Sequence, residues 1–162
     1  MRYPGIIGLL LLTCAITACG FHLRGAYTLP EHLSPIFLDR NFMSQDLYKE
    51  LRATLKASGA ELTDDAETAA SRLVISVEDR SRDVTSVDTL GRAREYRLLY
   101  RLVFALKTPE ETLIKNSTIK LSRNLLFNPE AVLGRDLQIE NMYKDMIRDA
   151  SGQILLRLQA LK

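Results

Sequence analysis

The apolar residues of this 162-residue chain fall into distinct rhythms, and each rhythm predicts a different kind of element. From Ser44, a side chain suited to an N-cap, Leu47, Leu51 and Leu55 recur every four residues with Tyr48 alongside. That spacing lines one face of a helix, and Gly59 stands where a glycine closes a helix C-terminus. Leu73, Ile75 and Val77 alternate with Val74, Ser76 and Glu78, the two-residue rhythm of a strand that extends toward Val84–Val87. After a turn at Asp88-Thr89-Leu90-Gly91, a longer strand begins. Tyr96, Leu98, Tyr100, Leu102, Phe104 and Leu106 line one of its faces, and Arg97 and Arg101 point to the other. Pro109-Glu110-Glu111 marks the next turn. The following strand, roughly Leu113 to Phe127, puts Ile119, Leu121, Leu125 and Phe127 on one side. Turns this short join the strands into an antiparallel meander.

Two flanking elements complete the pattern. Ile36-Phe37-Leu38 is a short strand ended by Asp39. Asn128-Pro129-Glu130 opens a second helix: asparagine caps, proline takes the first helical position, and glutamate suits the positive end of the dipole. Gly134 is expected to loosen this helix after its first turns. Tyr143, Ile147, Ala150, Ile154, Leu158 and Leu161 then recur at three- and four-residue steps. The order is strand, helix, three strands, helix. Each helix has one apolar stripe and the sheet has one apolar face, so the expected fold is α+β. Two helices pack on one face of a four-stranded, mostly antiparallel sheet, a two-layer sandwich.

The N-terminus follows a different rhythm. Ile6 to Ile16 is a nearly unbroken apolar run behind Arg2. It is about half the ~20 residues a helix needs to cross a bilayer, and with small residues at Thr17 and Ala18 it reads as a secretory signal peptide. Ile16-Thr17-Ala18-Cys19 resembles the lipobox of bacterial lipoproteins, in which the cysteine sulfur takes up a diacylglycerol. The peptide is cut before that cysteine and the new amine is acylated. The plainer alternative is an ordinary signal peptide with an incidental cysteine. Residues 1–18 are thus expected to be removed, with 19–35, which hold Gly20, Gly25, Pro30 and Pro35, forming a tether and 36–162 a domain. Cys14 falls in the discarded part, so Cys19 has no disulfide partner.

Loss of Arg2 lowers the formal charge from +2 to +1, too little for the broad basic field of a nucleic-acid binder. The two histidines, His22 and His32, both lie in the tether, and no set of ligands has the spacing of a zinc or iron site. No nucleophile elbow, P-loop or dinucleotide turn occurs. Asp64-Asp65 and Glu110-Glu111 are neighbours in turns, not carboxylates facing across a cleft. The chemistry points away from catalysis. What stands out is a basic hairpin: Arg80 and Arg82 before the turn, and Arg92, Arg94, Arg97 and Arg101 after it. Arginine forks grip phosphate bidentately. On composition alone the stronger reading is a solvated face, paired with Glu78, Asp79, Asp83, Asp88 and Glu95.

Cys19-Gly20-Phe21-His22-Leu23-Arg24-Gly25 resembles the mature start of the LptE family of lipopolysaccharide-assembly lipoproteins. Ile36-Phe37-Leu38-Asp39 is similar to the family's first strand, and Gly91 through Glu95-Tyr96 to its hairpin. Arg123–Phe127 with Asn128-Pro129 resembles its strand-to-helix junction, and Met142-Tyr143-Lys144-Asp145-Met146 through Leu158 its last helix. The resemblance spans essentially all of the mature chain. It implies a two-helix, four-stranded fold without catalysis or cofactor. It also implies a plug in a one-to-one complex with the outer-membrane β-barrel LptD, assisting placement of lipopolysaccharide. Gly20 behind the cysteine, where aspartate favours the inner membrane, implies the outer membrane, facing the periplasm. The family binds lipopolysaccharide through basic residues on the hairpin loop and near the start of the final helix. Arg135 falls at the second position. The loop itself begins with Asp88 and Thr89, so its nearest arginines are Arg92 and Arg94. The alternative is an outer-membrane lipoprotein serving another barrel-assembly or lipid-transport complex.

Overall fold

A computed structural model describes residues 29–126 and 134–161. Strand β1 is Ile36–Asp39, helix α1 Gln45–Ala57, β2 Leu62–Thr63, β3 Ser71–Val87, β4 Ala93–Lys107, β5 Thr112–Leu126 and helix α2 Arg135–Gln159. The sheet order is β2-β1-β3-β4-β5, with β1 parallel to both β2 and β3, and β3, β4 and β5 antiparallel. The α+β class is as expected, but the sheet has five strands instead of four. The added strand, β2, is two residues long, too short to show any rhythm in the sequence. The expected signal peptide, Cys19, Phe127 and the expected helix start at Asn128-Pro129-Glu130 lie outside the described residues.

The helix caps form as the residue types dictate. Ser44 Oγ accepts from Leu47 N at 3.2 Å to start α1. At its other end Gly59 takes φ +83°, a left-handed turn that costs glycine little. This lets Gly59 N donate to Lys56 O and Ala60 N to Leu55 O, a Schellman closure. Gly134, expected inside the second helix, stands directly ahead of its first described residue.

Both helices cover the same face of the sheet. Leu47, Leu51 and Leu55 of α1 and Tyr143, Met146, Ile147, Ala150, Ile154 and Leu158 of α2 are buried in one cluster. Leu73, Ile75, Leu98, Tyr100, Leu102, Phe104 and Leu106 of the strands complete it. Each buried leucine or isoleucine stabilises by roughly 1.5–3 kcal/mol relative to exposure. Residues 29–35, within the expected tether, also join this core. Leu29 and Leu33 are buried, Glu31–Leu33 makes a 3-10 turn, and Ser71 Oγ donates to Leu33 O at 2.6 Å.

A bulge in β3 corrects the sequence pattern. Ile75 lies opposite Phe104 but Val77 lies opposite Val103, so Ser76 is an extra residue, its Oγ donating to Val103 O. One inserted residue sends every later side chain to the opposite face. Val77 therefore turns outward, away from the face of Leu73 and Ile75 that it was expected to share. Glu78, Arg80 and Arg82 turn toward the helices, opposite Leu102, Tyr100 and Leu98. Another bulge lies in β5. Lys115 and Asn116 together face Ala105, and Asn116 takes φ +43°, a left-handed conformation that asparagine tolerates better than most residues.

Candidate functional site

The hairpin of β3 and β4 runs on past the helix layer, and every residue from Ser81 to Val87 is exposed. Its turn is organised by Asp88. Gly91 supplies φ +76°, and Asp88 N donates to Arg92 O at 2.8 Å. The Asp88 carboxylate accepts from Arg92 N at 2.8 Å and Leu90 N at 2.9 Å, and from Arg92 Nε at 2.7 Å. Hydrogen bonding from the Arg92 backbone, reinforced by its side chain and by Leu90, holds the carboxyl below the ordinary range. A depressed folded pKa means the turn's extra order is present above the ordinary value of about 3.9 and is lost as pH falls through the lower folded value. The Leu90 and Arg92 amide resonances are expected to titrate together in that acid window. Independent or absent titration would remove Asp88 as the organiser of the turn.

The six hairpin arginines occupy different environments. Arg97 and Arg101 face Asp83 and Asp79 across the outer side of the sheet. Arg80 braces the helices to the sheet, 3.9 Å from Glu78, 4.0 Å from Asp46 of α1 and 3.7 Å from Glu140 of α2, with its guanidinium over the Tyr143 ring. Arg82 stacks over Tyr96 at 5.2 Å. Arg92 is paired with Asp88. Arg94 is exposed and makes no ion pair among the described residues. Arg97 and Arg101 are likewise exposed and without an ion pair among the described residues, so they differ from Arg94 in lying on the outer sheet face and not at the tip.

Arg135 lies toward the same end of the domain. Tyr143 Oη donates to Ser81 O at 2.7 Å, while Arg157 reaches Thr118 O at 3.2 Å and Ser117 Oγ, farther from the turn. Helix α2 thus runs away from the hairpin tip, and Arg135 precedes Tyr143 by roughly 12 Å of helix. Arg135 Nε pairs with Asp136 at 3.2 Å. The fold thus carries Arg92, Arg94 and Arg135 to one end, each in its own local setting. Sequence reasoning missed the apolar half of this end: Val84, Val87, Leu90 and Leu137 are exposed beside the arginines. Val84, Val87 and Leu90, apolar residues around a polar turn, are the signal available in the sequence. Among the described residues no group of three His, Cys, Asp or Glu side chains is placed to hold a metal.

Comparison with known proteins agrees with this architecture. Residues 33–158 match the family model LptE, described as lipopolysaccharide-assembly. An LPS-assembly lipoprotein LptE of Pectobacterium atrosepticum is 29% identical over 155 residues, 94% of this chain and 82% of the relative. Its namesake in Photorhabdus laumondii is 24% identical, across 98% and 87% of the two chains. Among solved structures, a lipoprotein B of Nitrosomonas europaea superposes with a TM-score of 0.72 at 28% identity, covering 87% of this chain and 91% of that one. The rare lipoprotein B of Shewanella oneidensis shares the fold, with a TM-score of 0.64 at 22% identity and coverage of 76% and 90%. The family match spans most of the sequence and includes both helices and all five strands, and the chain accordingly belongs to the LptE family of lipopolysaccharide-assembly proteins.

Proposed function

We propose that this protein is a non-enzymatic outer-membrane lipoprotein, anchored through acylated Cys19 and facing the periplasm. In this reading it plugs the LptD barrel in a one-to-one complex and helps deliver lipopolysaccharide. Family membership supports the assembly role. The observation that carries the lipid-binding part is the amphipathic end of the domain. Arg92 and Arg94 sit at the tip and Arg135 at the helix start, beside the exposed side chains of Val84, Val87 and Leu90. A phosphorylated glycolipid offers matching chemistry, with anionic oxygens for guanidinium forks and acyl chains for the apolar side chains. The six hairpin arginines do not contribute alike: Arg94, at the tip, has a fork with no ion pair among the described residues, whereas Arg92 must share its own with Asp88.

Purification of the native lipoprotein from outer membranes tests the whole reading. The expected result is an acyl-bearing N-terminus at Cys19 and equimolar recovery with a very large barrel that shields the domain from protease. Recovery with a different complex would favour the general lipoprotein alternative. Lipopolysaccharide binding is tested by Arg92→Glu with Arg94→Glu. Charge-assisted contacts contribute about 1.5–3 kcal/mol each before screening at an exposed loop reduces them. Binding is expected to weaken roughly tenfold, and adding Arg135→Glu is expected to weaken it further while the thermal melt hardly moves. Unchanged binding by a well-folded triple variant would reduce these arginines to a solvated surface.

A further inference from the structure

A second basic cleft lies away from the hairpin, where the parallel edge of the sheet meets α1. It encloses about 650 Å³ between the C-terminal ends of β1 and β2 and the side of the helix. Crevices beyond the carboxyl ends of parallel strands are frequent ligand sites in open sheets. Three arginines line this one: Arg40 just past β1, Arg52 on α1 and Arg72 on β3. The Arg40 guanidinium lies 4.4 Å from the centre of the Tyr48 ring, and that of Arg72 5.3 Å from the centre of Phe37. Arg52 Nη1 donates to Tyr48 Oη at 2.9 Å and pairs with Asp64 at 3.3 Å. The other carboxylate of the cleft, Asp39, has one oxygen engaged by Asn41 N at 3.1 Å.

Three guanidiniums therefore face two carboxylates, and only Arg52 has an acid within ion-pair distance. Arg40 and Arg72 have none among the described residues. Stacking on a ring fixes the plane of a guanidinium and covers one of its faces, while its N–H edge stays free to donate. Single stacked arginines are ordinary on protein surfaces. Two of them lining one crevice, with a third guanidinium pinned by the same tyrosine, form a pre-oriented set of donors. Such a set suits an oxyanion with several oxygens better than a single carboxylate.

We propose that this cleft is a phosphate-binding site, separate from the hairpin, in which Arg40 and Arg72 grip the anion and Arg52 supplies a third cationic wall. The phosphate could arrive free or as the headgroup of a phospholipid, and the two are distinguished by experiment. The full lipidated chain in neutral detergent is titrated with inorganic phosphate at constant ionic strength, and separately with monomeric dihexanoyl phosphatidylglycerol. Binding is followed by calorimetry and by side-chain guanidinium resonances. Saturable binding is expected, weakened roughly tenfold by either Arg40→Gln or Arg72→Gln and unchanged by Lys120→Gln on exposed β5. Tighter binding of phosphatidylglycerol than of inorganic phosphate identifies a lipid headgroup as the source, and the reverse order identifies the free ion. A lack of saturation by both probes overturns the proposal. So does binding that survives the Arg40→Gln, Arg72→Gln double variant, or that is lost with Lys120→Gln instead. Thermal melts of each variant separate loss of the site from loss of the fold, and Arg40→Lys, which keeps the charge without the fork, gives an intermediate affinity if the site is intact.

Discussion

Glu78→Ala is expected to destabilise the domain by about 3–5 kcal/mol, the range for removing one partner of a buried charged cluster. The bulge at Ser76 turns Glu78 inward, where its side chain is 7% exposed. There the carboxylate accepts from Ser44 N at 2.6 Å, Ser44 Oγ at 2.8 Å and Tyr100 Oη at 3.0 Å. It also lies at the N-terminal end of α1, where the helix dipole favours an anion. Truncation leaves the Tyr100 hydroxyl, on a residue only 1% exposed, with no acceptor, and it removes one of the acids around Arg80. Burial, with the Glu78 carboxylate beside it, drives the Tyr100 phenol far above its ordinary range, so it stays a proton donor at every pH the fold survives. Glu78→Gln keeps an acceptor and is expected to cost less, about 1–2 kcal/mol, as is Tyr100→Phe, which leaves the carboxylate its two bonds from Ser44. Urea titrations of the three variants should rank them in that order. A cost below about 1 kcal/mol for Glu78→Ala would mean that the network does not hold α1 to the sheet.

Phe104→Ala is expected to cost about 3–5 kcal/mol by loss of the ring and retention of the hole it leaves. Phe104 is fully buried on β4, paired with Ile75 of β3 on one side and Ser117 of β5 on the other. Arg157 of α2 lies over its ring at 5.7 Å, tied down by its bonds to Ser117 and Thr118. The space cannot collapse easily, because its lid is a charged side chain anchored to the edge strand. Against a typical total stability of about 5–15 kcal/mol this is a large fraction, and the melting temperature should fall by roughly 10–20 °C. Phe104→Leu, which refills most of the volume, is expected to recover the greater part. If both variants melt alike, cavity formation is not what sets the cost.

Much of this fold was legible because its signals are local. The four-residue leucine spacing of α1 lies between a serine cap and a glycine that must turn left-handed, and each feature acts within a few residues. The long alternation from Tyr96 to Leu106 likewise matches the core-facing side of β4. What the sequence hid was decided across space. Nothing around Ser76 announces an extra residue, yet that insertion exchanges the faces of Val77 and Glu78 and so creates the polar cluster under α1. Pro30, Pro35 and the nearby glycines suggested a tether as far as residue 35, whereas Leu29 and Leu33 are buried because core space lies beside them. At the hairpin, composition located the arginines but did not rank them. Only the three-dimensional turn shows that Arg92 is held by Asp88 while Arg94 is exposed and makes no ion pair among the described residues.

The left-handed Asn116 in β5 has a consequence for how these molecules behave when crowded together. β5 is the open edge of the sheet and is fifteen residues long, a row of backbone donors and acceptors against which a strand of another copy could lie. The bulge breaks that row near its start, and Lys115 and Lys120 put positive charge at and beyond it. A second copy approaching edge to edge would lose its register at Asn116 and meet positive charge with positive charge. Anchoring through Cys19, as proposed, would raise the local concentration of copies in two dimensions, where one asparagine in an unusual conformation would help keep them as separate molecules instead of seeds for a growing fibre.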